Sequence, residues 1–119
     1  MSHSPQDLHK KLLGKKGERA AVQYLKSQGY TIVATNYRTP FGEADIIALD
    51  NDELVFIEVK TRTNDKYGTP KDAVGYDKQR RYYKIASYYG KATGEEPNAR
   101  FDVIEVFLDG AIEHYKYAF

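Results

Sequence analysis

Four side chains stand out in a stretch that otherwise reads as core: Glu43 and Asp45 in GEADIIALD (42–50), and Glu58 and Lys60 in ELVFIEVKTR (53–62). If residues 43–50 and 53–60 pair as antiparallel strands around Asn51-Asp52, Asp45 falls opposite Glu58 and Glu43 opposite Lys60. Ile47 then faces Phe56 and Leu49 faces Leu54, and alternation puts all eight on one face. The other face, Ala44, Ile46 and Ala48 against Val55, Ile57 and Val59, is apolar throughout. A hairpin apolar on both faces belongs in the middle of a sheet.

Directly opposed residues have Cβ atoms roughly 4.5–5.5 Å apart, so two ionised carboxylates there repel, and in a partly dry site one pKa must rise. A divalent cation between Asp45 and Glu58 removes the conflict. Carboxylate oxygens without nearby His or Cys are hard ligands, which favours Mg²⁺, with Mn²⁺ as a substitute, over zinc. Lys60, two residues beyond Glu58 on the same face, would set its ammonium beside an attacking water or a phosphate oxygen. The chemistry implied is metal-assisted hydrolysis of a phosphodiester. A plainer arrangement, with Glu43–Lys60 as an ion pair at a wet sheet end, leaves two acids unpaired between apolar strands.

The elements that must hold these residues are legible around them. Ser4-Pro5-Gln6-Asp7 has the form of a capped helix start, and the helix should run to about Gln28 and stop at Gly29, with Leu13, Gly17, Ala20, Ala21, Tyr24 and Leu25 inward. Tyr30 to Tyr37 reads as a strand, and Thr39-Pro40-Phe41-Gly42 turns the chain into the acidic stretch. After a polar loop at 63–69, Thr69-Pro70-Lys71-Asp72 starts a second helix, interrupted at Gly75 and resuming through Tyr82, Ile85, Ala86 and Tyr89 to stop at Gly90. Lys91 to Ala99 is a loop. Residues 101–108 and 111–119 form a hairpin around Asp109-Gly110. The order α-β-β-β-α-β-β gives an α/β sandwich about a mixed sheet.

The 119 residues suffice for one domain with its own core, without repeats or linkers, residues 1–6 lying outside its ordered part. Absence of cysteine excludes disulfides and thiolate zinc sites, and the chain has no apolar run of signal or membrane-span length; a reducing cytoplasm is the expected location. Net charge is only +1, but it is segregated. Residues 42–59 carry six acids and no base, whereas residues 60–91 carry nine Lys or Arg against three Asp. An acidic pocket bordered by basic segments suits a cation-assisted reaction on a polyanion.

Gly42-Glu43-Ala44-Asp45-Ile46-Ile47 followed by Val55-Phe56-Ile57-Glu58-Val59-Lys60-Thr61-Arg62 resembles the core motif of the PD-(D/E)XK, restriction-endonuclease-like nucleases. More closely, with Gly14 to Ala21, Asn36-Tyr37-Arg38, Gly68 to Val74, Lys78 and Arg100-Phe101-Asp102-Val103, the chain is similar to the YraN family of predicted bacterial endonucleases, themselves similar to archaeal Holliday-junction resolvases. The resemblance implies a three-layer sandwich, with helices flanking a central mixed sheet. It makes Asp45 and Glu58 metal ligands, Lys60 the catalytic lysine, and Glu18 of the first helix a further acid of the cluster, with Glu43 alongside. Ala44 stands where the superfamily's namesake has proline. Arg38, Arg62, Lys78, Gln79, Arg80 and Arg81 are the candidates for nucleic-acid contact, and stacking by Tyr67 or Tyr76 would add to them.

The function expected is Mg²⁺-dependent endonuclease action on DNA, with branched DNA in repair or recombination as a structure-specific target and a symmetric homodimer as the acting form. RNA remains an alternative substrate. Two rival readings are a non-catalytic nucleic-acid-binding module with a vestigial metal site, and a small-molecule phosphoesterase.

Overall fold

The structure, a computed structural model, describes residues 5–62, 74–95 and 98–119, apart from the side chains of residues 6, 7 and 10. Among the described residues, seven elements follow in the expected order: α1 (Pro5–Ser27), β1 (Thr31–Thr39), β2 (Gly42–Asp50), β3 (Glu53–Arg62), α2 (Tyr76–Thr93), β4 (Ala99–Phe107) and β5 (Ile112–Tyr115). The Ser4 cap, the 63–69 loop, Tyr67 and the helix start at 69–72 lie outside the described residues, as does the side chain of Asp7.

The strands form one sheet in sequence order. β1 to β3 pair antiparallel, β3 and β4 pair parallel across the α2 crossover, and β5 returns antiparallel. Among the described residues, each face carries one helix. Ala21 and Leu25 of α1 pack with Ile46, Ala48, Val55, Ile57, Ile104 and Val106. Tyr82, Ile85 and Ala86 of α2 pack with Ile47, Leu54, Phe56 and Phe101. The mixed sheet between two helical layers is the three-layer α/β sandwich anticipated.

α1 ends as its sequence dictates: Gly29 adopts φ 89°, and Tyr30 N donates to Leu25 O at 3.0 Å. α2 does not. It passes through Gly90, which is buried, and stops at Gly94, whose φ of 74° supplies the left-handed cap. A glycine in a helix interior marks a stop only where the chain can turn there, and Gly90 is enclosed. Gly75 precedes α2 as its cap residue.

The β2–β3 register is the one anticipated from Ile46↔Ile57 to Asp50↔Glu53. Beyond Ile46–Ile57 the ladder ends, so Asp45–Glu58 and Glu43–Lys60 are not strand partners. At the same level in β1, Asn36 takes φ 51° between the pairs Thr35↔Ile46 and Tyr37↔Ala44. Asn tolerates this left-handed conformation better than other non-glycine residues. Alternation breaks across that point, and Ala44, expected beside Ile46 and Ala48, packs instead with Ile47, Phe56 and Tyr82.

At the opposite end, Arg100 and Asp102 of β4 are buried. Arg100 donates to both Asp102 oxygens at 2.9 Å, to Asp50 Oδ2 at 2.8 Å and to the Tyr30 hydroxyl at 2.9 Å. His114 Nε2 lies 2.7 Å from Asp102 Oδ2, and its Nδ1 lies 3.0 Å from the Tyr24 hydroxyl. Burial works to raise the Asp102 pKa, but the bonds from His114 and Arg100 hold it below the usual carboxylate range. The network ties α1, the β2–β3 turn, β4 and β5 together.

Two predictions follow from this packing. Arg100→Met leaves Asp102 buried without its counter-charge and should cost about 3–5 kcal/mol, read as a lower midpoint in urea denaturation. At Gly17, a Cβ would sit 2.2 Å from Thr61 Oγ1. Overpacking costs about 1–3 kcal/mol and outweighs the roughly 0.5–1 kcal/mol that alanine gains in a helix, so Gly17→Ala should lower the melting temperature; an unchanged or higher value would contradict this packing.

Candidate active site

Where β2 and β3 part, a cleft of about 420 Å³ opens, lined by Leu13, Gly14 and Glu18 of α1 and by Asp45, Glu58, Val59, Lys60 and Thr61 of the strands. Parting leaves backbone donors without strand partners, and Asp45 answers one of them: its Oδ2 accepts the Val59 N–H at 2.8 Å. Glu58, on the α2 side of β3, is buried, and Asp45 is half-buried. Its Oε2 accepts from the Tyr82 hydroxyl at 2.6 Å, and its Oε1 from Lys78 Nζ at 2.5 Å. Lys60 Nζ lies 4.0 Å from the same Oε1.

The electrostatics follow from enclosure. Burial, then the charge of Glu58, pushes the Asp45 carboxyl up to about 7. Burial and the neighbouring Lys78 ammonium lower the pKa of Lys60. Burial raises Glu18, and Glu43 adds to that, while a bond from Asn36 opposes it. The Tyr82 hydroxyl, buried against Glu58 and Asp45, is held well above its usual value and stays a proton donor.

Of the residues singled out in the sequence, Asp45, Glu58, Lys60 and Glu18 line the one cleft. Among the described residues no three His, Cys, Asp or Glu come close enough together to form a metal-binding group, so the close acids are the Asp45–Glu58 pair. Glu43 is not opposite Lys60. The ladder has ended there, and Glu43 turns to the β1 side, 3.5 Å from Arg38 Nε. With its amide nitrogen facing the acids, Asn36 reaches Glu43 Oε1 at 2.7 Å and Glu18 Oε2 at 3.3 Å.

The cationic candidates separate. Lys78 belongs to the site itself through Glu58, and Gln79 donates to the Val74 carbonyl at 3.0 Å. Arg62 is tied to the buried Glu105. Arg38, Arg80 and Arg81 are exposed. Sequence reasoning placed Tyr82 only in the core, and missed both its bond to Glu58 and the Asp45 bond to Val59. Tyr82 could have been found, because it lies four residues after Lys78 and so shares its helix face.

Comparison with known proteins places the chain among relatives. The uncharacterised protein family UPF0102 matches residues 17–106. The UPF0102 protein of Thermodesulfovibrio yellowstonii is 50% identical over 107 residues, covering 90% of this chain and 95% of that protein. The UPF0102 protein of Desulfosudis oleivorans is 48% identical over 108 residues, covering 89% and 88%. Among solved structures, Hjc of Archaeoglobus fulgidus, a Holliday junction resolvase, superposes with a TM-score of 0.56 at 22% identity, covering 87% of this chain and 76% of that one. The likeness is one of fold, restriction-endonuclease-like in architecture. With the family match extending from α1 into β4 and close relatives aligned over nearly their whole length, the chain belongs to the uncharacterised protein family UPF0102.

Proposed function

We propose that the protein is a divalent-cation-dependent nuclease that hydrolyses phosphodiester bonds in DNA, with branched DNA as the preferred target. The observation that carries this reading is the meeting of two acids, half-buried Asp45 and buried Glu58, with the Lys60 ammonium in one open cleft. The Hjc-like fold supports it. The donor set fits Mg²⁺ or Mn²⁺: Mg²⁺ sites characteristically use one or two carboxylates plus substrate phosphate, and each Glu58 oxygen has one lone-pair direction beyond its bond to Tyr82 or Lys78. Asp45 and Glu58 would hold the cation, which supplies Lewis-acid activation of water and of the phosphate.

The chain's own groups do the rest. Tyr82 and Lys78 fix the Glu58 carboxylate from the α2 side, and the Val59 N–H fixes Asp45. Lys60, half-buried with a lowered pKa, orients the attacking water and stabilises charge on the phosphate. Exposed Arg38, Arg80 and Arg81 meet backbone phosphates. Resolution of a four-way junction needs two cuts, so the acting form proposed is a symmetric pair of chains. One observation favours the binding-module reading instead: Lys78 Nζ already lies at 2.5 Å from Glu58, supplying positive charge where a cation would.

Cleavage of labelled single-stranded, duplex, flap and four-way-junction DNA in Mg²⁺ or Mn²⁺ decides between them. Wild-type protein should cut, and chelation should stop it. Glu58→Gln and Lys60→Met should each lower the rate by about 10²–10³-fold, and Tyr82→Phe by about 10–100-fold through the loosened Glu58. Binding without cleavage in any cation would favour the accessory module.

Asp45 also sets a pH dependence. The folded chain keeps the Asp45 proton up to about 7, whereas an unfolded one releases it near 3.8. Between those values the folded state binds more protons, so stability of the metal-free protein falls as pH rises, by roughly 2–4 kcal/mol. Thermal melts in chelator should show this loss, Asp45→Asn should flatten it, and added Mn²⁺ should offset it in the wild type alone.

A further inference from the structure

Positions 76, 80, 84 and 88 form a stripe along the outer side of α2: Tyr76, Arg80, Lys84 and Tyr88, every one exposed. An ordinary solvated helix face mixes acids with bases. α2 has a single acid, Asp77, against Lys78, Arg80, Arg81, Lys84 and Lys91. Tyr76 is 73% exposed and Tyr88 37%. Phe41, 44% exposed at the tip of the β1–β2 turn, extends the stripe, its ring 6.5 Å from that of Tyr88. Each cation sits by a ring: Arg80 is 5.8 Å from the centre of Tyr76, and Lys84 5.7 Å from that of Phe41.

We propose that this stripe is a tract for an unpaired nucleic-acid strand, whose bases stack on Tyr76, Phe41 and Tyr88 while its phosphates meet Arg80, Lys84 and Arg81. The inference rests on the nuclease reading and adds the feature of the substrate that it selects. Alternating rings and cations are the chemistry of single-strand recognition, because a base's face reaches a ring only when the base is free of its partner; the charges alone would suit a duplex equally. The stripe spans about 18 Å of helix, enough for about five stacked nucleotides. It is joined to the site at both ends. Lys78, on the first turn of α2, holds Glu58, and Phe41 lies four residues before Asp45 on the same hairpin. The elements that carry the stripe are therefore the ones that hold or continue into the two acids.

The test is binding in chelator, by fluorescence anisotropy, of labelled oligo-dT and of a mixed-sequence duplex. Phe41→Ala with Tyr76→Ala should weaken oligo-dT binding by about 5- to 150-fold for each base unstacked and leave duplex binding within about twofold. Phe41→Trp should retain oligo-dT binding. Equal loss on both ligands, no loss on oligo-dT, or wild-type protein that prefers duplex overturns the tract. Circular dichroism melts keep folding separate, since both rings replaced are exposed. Parallel cleavage assays with Glu58→Gln separate the two readings: stacking-dependent oligo-dT binding without cleavage upholds the tract and rejects the nuclease, and Glu58-dependent cleavage with oligo-dT binding indifferent to Phe41 and Tyr76 does the reverse.

Discussion

The parting of β2 from β3 is the constraint on which the site depends. A central hairpin would ordinarily continue its ladder to the end of the sheet. Here Asn36 in β1 takes a left-handed conformation, alternation breaks beside it, and Asp45 accepts the Val59 N–H that a strand partner would have taken. One carboxylate thus closes a backbone vacancy and stands at the mouth of a cleft. Had the ladder continued, Asp45 and Glu58 would face each other across paired strands, and the Val59 N–H would be taken up by backbone instead of by Asp45.

Around that opening the two helical layers have different tasks. α1 approaches closely where Gly17 meets Thr61, bringing Glu18 to the cleft wall. α2 supplies Tyr82 and Lys78, which take one oxygen each of Glu58. Glu58 is therefore held from the crossover helix, and Asp45 from the backbone of the neighbouring strand. The far end of the sheet is stiffened by Arg100 and Asp102, so the site forms at the end where pairing loosens, and the rigidity lies elsewhere.

Element order, the central register and the acids with their lysine were legible in the sequence, because the Asn51-Asp52 turn centres the hairpin and thereby sets which residues of its two strands pair. Glu43 was misplaced for a physical reason: extrapolating a ladder assumes that it does not end, and here the pairing stops at Ile46–Ile57. Gly90 misled in the same way. A glycine's role depends on whether the helix is enclosed at that point, which is a tertiary property. Tyr82 carried its signal openly, four residues after Lys78, but a tyrosine on an apolar helix stripe reads as core until the acid it touches is known.

The parallel β3–β4 pair has a consequence for how the protein assembles. β1, β2 and β3 are joined by short turns and can pair early, bringing Asp45 and Glu58 together from local chain alone. Lys78 and Tyr82 arrive only when the long crossover between β3 and β4 closes, the step of highest entropic cost in this topology. During synthesis and refolding the acidic pair can therefore form with only Lys60 of β3 beside it, and completing the fold requires bringing α2, with Lys78 and Tyr82, down upon it.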